Sequence, residues 1–215
     1  SVEVVRSFWY LGDIIDARGG VETAVSSRIK CAWKKFRELG SILTRKGLAN
    51  KLKGKVYNSC VRSVMLYGSE TWAIRGDQES RIERTDMQMI RWMCGVRLKD
   101  RKSNEELRNK LGLDSVRITM RKGRLRWFGH VERMSDDNWV KKCRVLGVLG
   151  RRPVGRPNKT WYEVVRKDMK EWGMCKDMAM DRVKWRGGRT VTNPLGFSKM
   201  PKKMYVCMYV YLYDV

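Results

Sequence analysis

The sequence predicts a mainly α-helical fold that opens on a short β-hairpin, and two observations carry this. Apolar residues alternate near the start, whereas from about residue 21 they recur three and four apart. Glycine, proline and capping residues punctuate the joins between these stretches. Val2, Val4, Phe8, Tyr10 and Ile14 fall at even positions, with Gly12 and Gly19-Gly20 as breaks, which predicts a hairpin over 3–17. Val25, Ile29, Ala32, Phe36 and Leu39 then form one stripe on a first helix. Leu52, Val56, Cys60 and Val64 do the same for a second, ending near Gly68. Ile82, Met89, Ile90 and Met93 mark a third, ending near Gly95. Ser103 with Glu106 three residues on is a capping-box signature opening a short fourth helix through Leu107 and Leu111. A fifth is expected from Ser115 to Met134 with the stripe Ile118, Leu125, Phe128 and Val131, and another from Asn158 burying Trp161, Val165, Met169 and Trp172.

The 215 residues suffice for one or two small domains. With 47 basic and 23 acidic residues the net charge is +24, which destabilises a lone compact chain and is best explained by a polyanionic partner. An anionic membrane surface is the other option, but the apolar helix faces are needed for a core. No run of about 20 apolar residues exists to span a membrane. The charge concentrates after residue 97: from Arg97 to Lys159 there are 19 Lys/Arg against 7 Asp/Glu. The six cysteines, at 31, 60, 94, 143, 175 and 207, lack the clustering of a zinc site and read as reduced, intracellular and mostly buried, in the nucleus or cytoplasm. The start at Ser1, inside a strand-like pattern, suggests a fragment.

Enzyme chemistry is not expected from this chain alone. The only Asp-Asp pair, Asp136-Asp137, lies in a polar stretch and reads as a solvated loop rather than a metal site. The single histidine, His130, cannot serve a Ser-His-Asp arrangement, and no Gly-rich phosphate loop occurs. No cofactor and no small-molecule substrate are implied. The binding signals are stronger. Arg117, Arg121, Lys122, Arg124, Arg126 and Arg133 are expected on the polar faces of the 115–134 helix, where guanidinium groups can fork onto phosphates. Trp127 either stacks on bases or joins the core beside Phe128, and His130 reads as structural before catalytic. Arg151, Arg152 and Arg156, in the loop Gly150–Pro157, read equally as a phosphate clamp or as part of a linker. Beyond 189 the pattern collapses: Met-Tyr-Val-Cys-Met-Tyr-Val at 204–210 is the in-frame translation of an ATGT repeat, so 190–215 is expected to be a disordered or non-native tail.

Five stretches together resemble one family. Phe8-Trp9-Tyr10-Leu11-Gly12 resembles the F-x-Y-L-G signature that follows the palm of non-LTR (LINE-type) retrotransposon reverse transcriptases. Tyr57, Val64, Leu66-Tyr67-Gly68, Glu70 and Trp72 resemble the L-Y-G-x-E-x-W segment. Arg124 to Val131 with Arg133-Met134 resembles the R-L-R-W-x-G-H-V-x-R-M block, Gly155-Arg156-Pro157 with Trp161 resembles G-R-P-x-x-x-W, and Ala179, Asp181-Arg182 and Trp185-Arg186 resemble A-x-D-R-x-x-W-R. The resemblance implies an end-of-palm hairpin remnant over 1–18, with Tyr10, Leu11 and Gly12 near the primer 3′ end, a thumb-like helical bundle over 19–96 and a basic nucleic-acid-binding region over 97–189. It implies RNA or DNA as partner, together with the palm of the parent polymerase. The family's paired catalytic aspartates and its endonuclease have no counterpart in these residues. The alternatives are a host-adopted interaction or structural module and a non-functional relic.

Overall fold

The computed structural model describes residues 5–10, 13–16, 20–145, 157 and 159–189. The Arg151, Arg152 and Arg156 loop, Leu11, Gly12 and the 190–215 tail lie outside the described residues. The architecture is mainly helical after an N-terminal hairpin, as the periodicity predicts. Strands β1 (Ser7–Tyr10) and β2 (Asp13–Asp16) pair antiparallel, with Phe8 opposite Ile15 and Trp9 opposite Ile14. The alternation sets Phe8 and Tyr10 on one face, ring centroids 6.4 Å apart.

The chain divides into two compact units, residues 1–120 and 121–215, so the charge shift near residue 97 is not where the contacts divide. In the first unit, α1 (Glu22–Glu38) buries Val25, Ile29, Ala32 and Phe36 as expected. It is followed by the short α2 (Gly40–Leu43), then by α3 (Asn50–Val56), which runs on through a π-helical stretch, Tyr57–Arg62, into α4 (Ser63–Met65). Here the expected stripe is corrected. Leu52 is exposed, Val56, Cys60 and Val64 are half-buried, and the inward face is Tyr57, Val61 and Met65, each one residue further on, with Gly54. Two contacts select that face. Gly54 admits the backbone carbonyl of Leu111 into the space a side chain would fill. A buried network supplies the other: Tyr57 donates to Asp86 Oδ1 at 2.8 Å, and Arg62 forks onto the same carboxylate at 2.7 Å through both Nε and Nη2. Arg62 also donates to the Asp114 carbonyl at 2.8 Å. Burial opposes the Arg62 charge, but Asp86 more than compensates and raises its pKa.

Helix α5 (Gly76–Cys94) buries Ile82, Met89, Ile90 and Met93 and stops at Gly95, in the left-handed region at φ 64°. Helix α6 (Asn104–Leu111) is capped as its sequence specifies, with Ser103 Oγ accepting from Glu106 N at 3.1 Å. The long α7 (Val116–Glu132) buries Val116 and Met120 in the first unit; Leu125, Phe128 and Val131 are buried in the second, and Ile118 is only half-buried.

The second unit adds α8 (Trp139–Val145), α9 (Trp161–Glu171), a 3-10 turn at Lys176–Met180 and α10 (Arg182–Gly188). Helix α9 starts at Trp161 because Thr160 and Glu163 cap each other: Glu163 N donates to Thr160 Oγ1 at 3.3 Å and Thr160 N to Glu163 Oε2 at 3.1 Å. Val165, Met169 and Trp172 are buried as expected, and Trp161 is half-buried. Asp181 caps α10 by accepting from Val183 N and Lys184 N. Of the five described cysteines none is buried: Cys31 and Cys143 are exposed and Cys60, Cys94 and Cys175 half-buried, which corrects the expectation of a mostly buried set. They lie off the inward faces that the larger side chains occupy.

Candidate nucleic-acid interface

The second unit is closed by contacts between short motifs far apart in sequence. Gly129 faces the indole of Trp185, and a Cβ on Gly129 would overlap that ring. Trp185 is thereby fully buried, and its Nε1–H donates to the Leu125 carbonyl at 2.8 Å. This carbonyl lies one turn before Gly129 on α7. Phe128 packs against the rings of Trp185 and Trp161, at 5.7 and 6.2 Å. Arg133 donates to the Ala179 carbonyl at 2.6 Å. The blocks containing Arg124 to Met134, Trp161, and Ala179 to Arg186 are therefore one another's packing partners.

Arg124 belongs to the same interior. It is 1% exposed, and its Nε donates to Asp168 Oδ2 at 2.7 Å. Arg121 Nη1 meets Glu171 at 2.5 Å, and its Nε lies 3.4 Å from Asp168 Oδ1, an ionic contact without hydrogen-bond geometry. Burial holds the Asp168 carboxyl above its ordinary range, against the downward pull of Arg124 and Arg121. In the first unit, Arg117 reaches α5, meeting Glu83 at 2.7 Å, Glu79 at 3.3 Å and Ser80 at 3.0 Å. The expectation that these three arginines offer free forks to phosphate is thus corrected. Arg124 is sealed from solvent, and Arg117 and Arg121 already hold carboxylates.

Three of the remaining expected residues form an outward row. Lys122, Arg126 and His130 stand four apart on α7; Arg126 and His130 are exposed and Lys122 half-buried. Trp127 is half-buried, with its ring 5.6 Å from that of His130, so it belongs to the surface as much as to the core. Arg133 is half-buried, and Tyr10 is 55% exposed on β1. Sequence reasoning missed two cations, Arg186 and Arg189 of α10 and its C-terminal boundary. Arg186 is exposed. Arg189 is half-buried, with an Nε that is buried and has no hydrogen-bond partner. Burial lowers the Arg189 pKa, and the like charges of Arg126, Arg133 and Arg186 lower it further. The Trp185-Arg186 motif named one of these two residues, but nothing in the pattern places them beside α7.

Among the described residues no group of three or more His, Cys, Asp or Glu side chains could hold a metal ion, and no helix is long and apolar enough to cross a membrane. Asp136 and Asp137 are almost fully exposed, paired with Lys141 at 2.6 Å and Lys142 at 3.2 Å.

Fold and surface together define a small, strongly basic, helix-rich protein with cations gathered on one face of α7. No family model matches the chain, and no solved structure matches it. An uncharacterized transposon-derived protein of Caenorhabditis elegans is 27% identical to it over 171 residues, 77% of this chain. The chain spans 61% of that relative's length. This likeness supports a transposon origin.

Proposed function

We propose that the chain is a nucleic-acid-gripping segment of a non-LTR retrotransposon reverse transcriptase, without polymerase or endonuclease chemistry of its own. The observation that carries this reading is the +24 charge combined with the outward row Lys122, Arg126 and His130 beside Trp127. The transposon-derived relative and the ordered motifs, whose residues interlock in the second unit, support it. In this reading cations hold backbone phosphates and Trp127 offers a ring to unpaired bases, while the exposed aromatic strand Phe8–Tyr10 lies toward the primer and the parent palm. The test is affinity for RNA and DNA oligonucleotides measured against salt. Binding should weaken steeply as salt rises, by roughly 0.7–0.9 in log–log slope per phosphate held. Absence of binding at low ionic strength, or binding indifferent to salt, would refute the proposal; salt-resistant capture of a protein would favour an interaction module.

A further inference from the structure

Among the described residues four buried or half-buried arginines hold carboxylates: Arg62 has Asp86, Arg117 has Glu79 and Glu83, Arg121 has Glu171, and Arg124 has Asp168. Four others depart from this pattern together. Arg126 and Gly129 share one face of α7, three residues apart, and Arg133 follows in the turn just past the helix end, four residues beyond Gly129. Trp185 sits on that face at Gly129, so the residues beside and one turn beyond it, Arg186 and Arg189, are carried towards Arg126 and Arg133. The charge of each of the other three arginines is felt at Arg189. Among the described residues none of the four is paired with an acidic side chain. Arg133 is oriented by the Ala179 carbonyl at 2.6 Å, and Arg189 presents a buried Nε with no partner. Four like charges brought together, one of them partly desolvated, are unfavourable until an anion joins them. The anion must accept from several planar guanidinium forks at once, which a phosphate does with its free oxygens.

We infer that Arg126, Arg133, Arg186 and Arg189 form a seat for a phosphate group, built where Trp185 of α10 rests on Gly129 of α7, and that in use it holds a phosphodiester of a nucleic-acid strand. The identity of the strand rests on the nucleic-acid reading above; the seat itself rests on the four side chains. It fixes the strand at one point on the second unit, which a diffuse basic surface does not do.

The experiment uses the full chain and two readouts. Thermal melting is followed in chloride and in inorganic phosphate at equal ionic strength, and oligonucleotide affinity is followed against salt. The variants are R126Q/R186Q, which changes two exposed side chains and leaves packing alone, R189Q, and the control R45Q/K46Q, which removes the same two charges from exposed positions of the first unit. Phosphate should raise the melting temperature of the parent and the control by several degrees and that of R126Q/R186Q by much less. R126Q/R186Q should lower the salt slope by about 1.4–1.8 for two lost contacts, and the control by less than half of that. In chloride, R189Q should melt higher than the parent, because an unpaired, partly buried charge has gone. Equal phosphate response in the parent and R126Q/R186Q, or equal slope loss in R126Q/R186Q and the control, overturns the seat while leaving nucleic-acid binding intact. A lower melting temperature for R189Q in chloride also overturns it. Phosphate stabilisation confined to chains with the seat, without oligonucleotide binding by any chain, keeps the seat and overturns the nucleic-acid reading.

Discussion

Arg124 separates a folding role from a binding role by the outcome of a single substitution. With 1% of its surface exposed and its Nε 2.7 Å from Asp168, it is one half of a buried ion pair. Removing one partner of such a pair costs about 3–5 kcal/mol, because the other charge is left buried and uncompensated. The structure ranks the two possible deletions. After Arg124→Ala, Asp168 keeps Arg121 at 3.4 Å, and burial already favours its protonated form. The loss should therefore fall at the lower end, about 3 kcal/mol. After Asp168→Ala, Arg124 has no acidic partner among the described residues and cannot shed its proton, so the loss should reach about 5 kcal/mol. For a unit under 100 residues, 3 kcal/mol corresponds to a fall in melting temperature of roughly 12–24 °C. Circular dichroism melts of the full chain, with tryptophan fluorescence reporting on Trp172 and Trp185, read this directly. An Arg124→Ala chain that melts like the parent but binds oligonucleotides more weakly would refute the argument and return Arg124 to the binding face.

Two further substitutions test the close approaches and the buried network. Gly129→Ala should push Trp185 off α7 and break its hydrogen bond to Leu125, lowering stability by about 3 kcal/mol; a chemical-denaturation midpoint equal to the parent's would show that the helices yield freely. Tyr57→Phe removes the hydrogen bond to Asp86 while Arg62 keeps its fork, for a loss of about 2 kcal/mol near neutral pH. Burial raises the Tyr57 hydroxyl well above its ordinary pKa, so its contribution is present below about pH 10 and is lost at higher pH, where the unfolded chain ionises and the folded chain does not. The stability gap between parent and variant should accordingly narrow above pH 10 in denaturation curves, and a widening gap would contradict the burial argument.

The fold class, the helix ends at Gly95 and Ser103 and the stripes of α1 and α5 were legible because they depend on residues a few positions apart. The α3 face was not. Leu52, Val56, Cys60 and Val64 outnumber the aliphatics of the true face, but that face is chosen by Gly54 meeting Leu111 and by Tyr57 and Arg62 meeting Asp86, contacts made across the chain. The arginines of α7 failed for the same reason. Local spacing shows that they cannot all face the core, yet it does not show that Asp168 and Glu171 of α9 await two of them or that α5 awaits a third. What remained readable of the site was the outward row Lys122, Arg126 and His130, which local spacing alone sets on one face. Arg189 was invisible because its importance comes only from what Trp185 brings it against.

The seating of Trp185 on Gly129 also sets an order of events in synthesis. Leu125 and Trp185 are separated by 60 residues, Arg133 and Ala179 by 46, and Arg124 and Asp168 by 44. While a ribosome is still adding α9, the Leu125 carbonyl, one face of Phe128 and the bare stretch at Gly129 have nothing to cover them, and Arg124 has only just met its counter-charge. The cover arrives with α10, a span that must emerge from the exit tunnel before Trp185 can reach Gly129. A premature stop anywhere between Asp168 and Trp185 would leave α7 with an uncovered apolar strip and make the shortened product a target for aggregation or proteolysis.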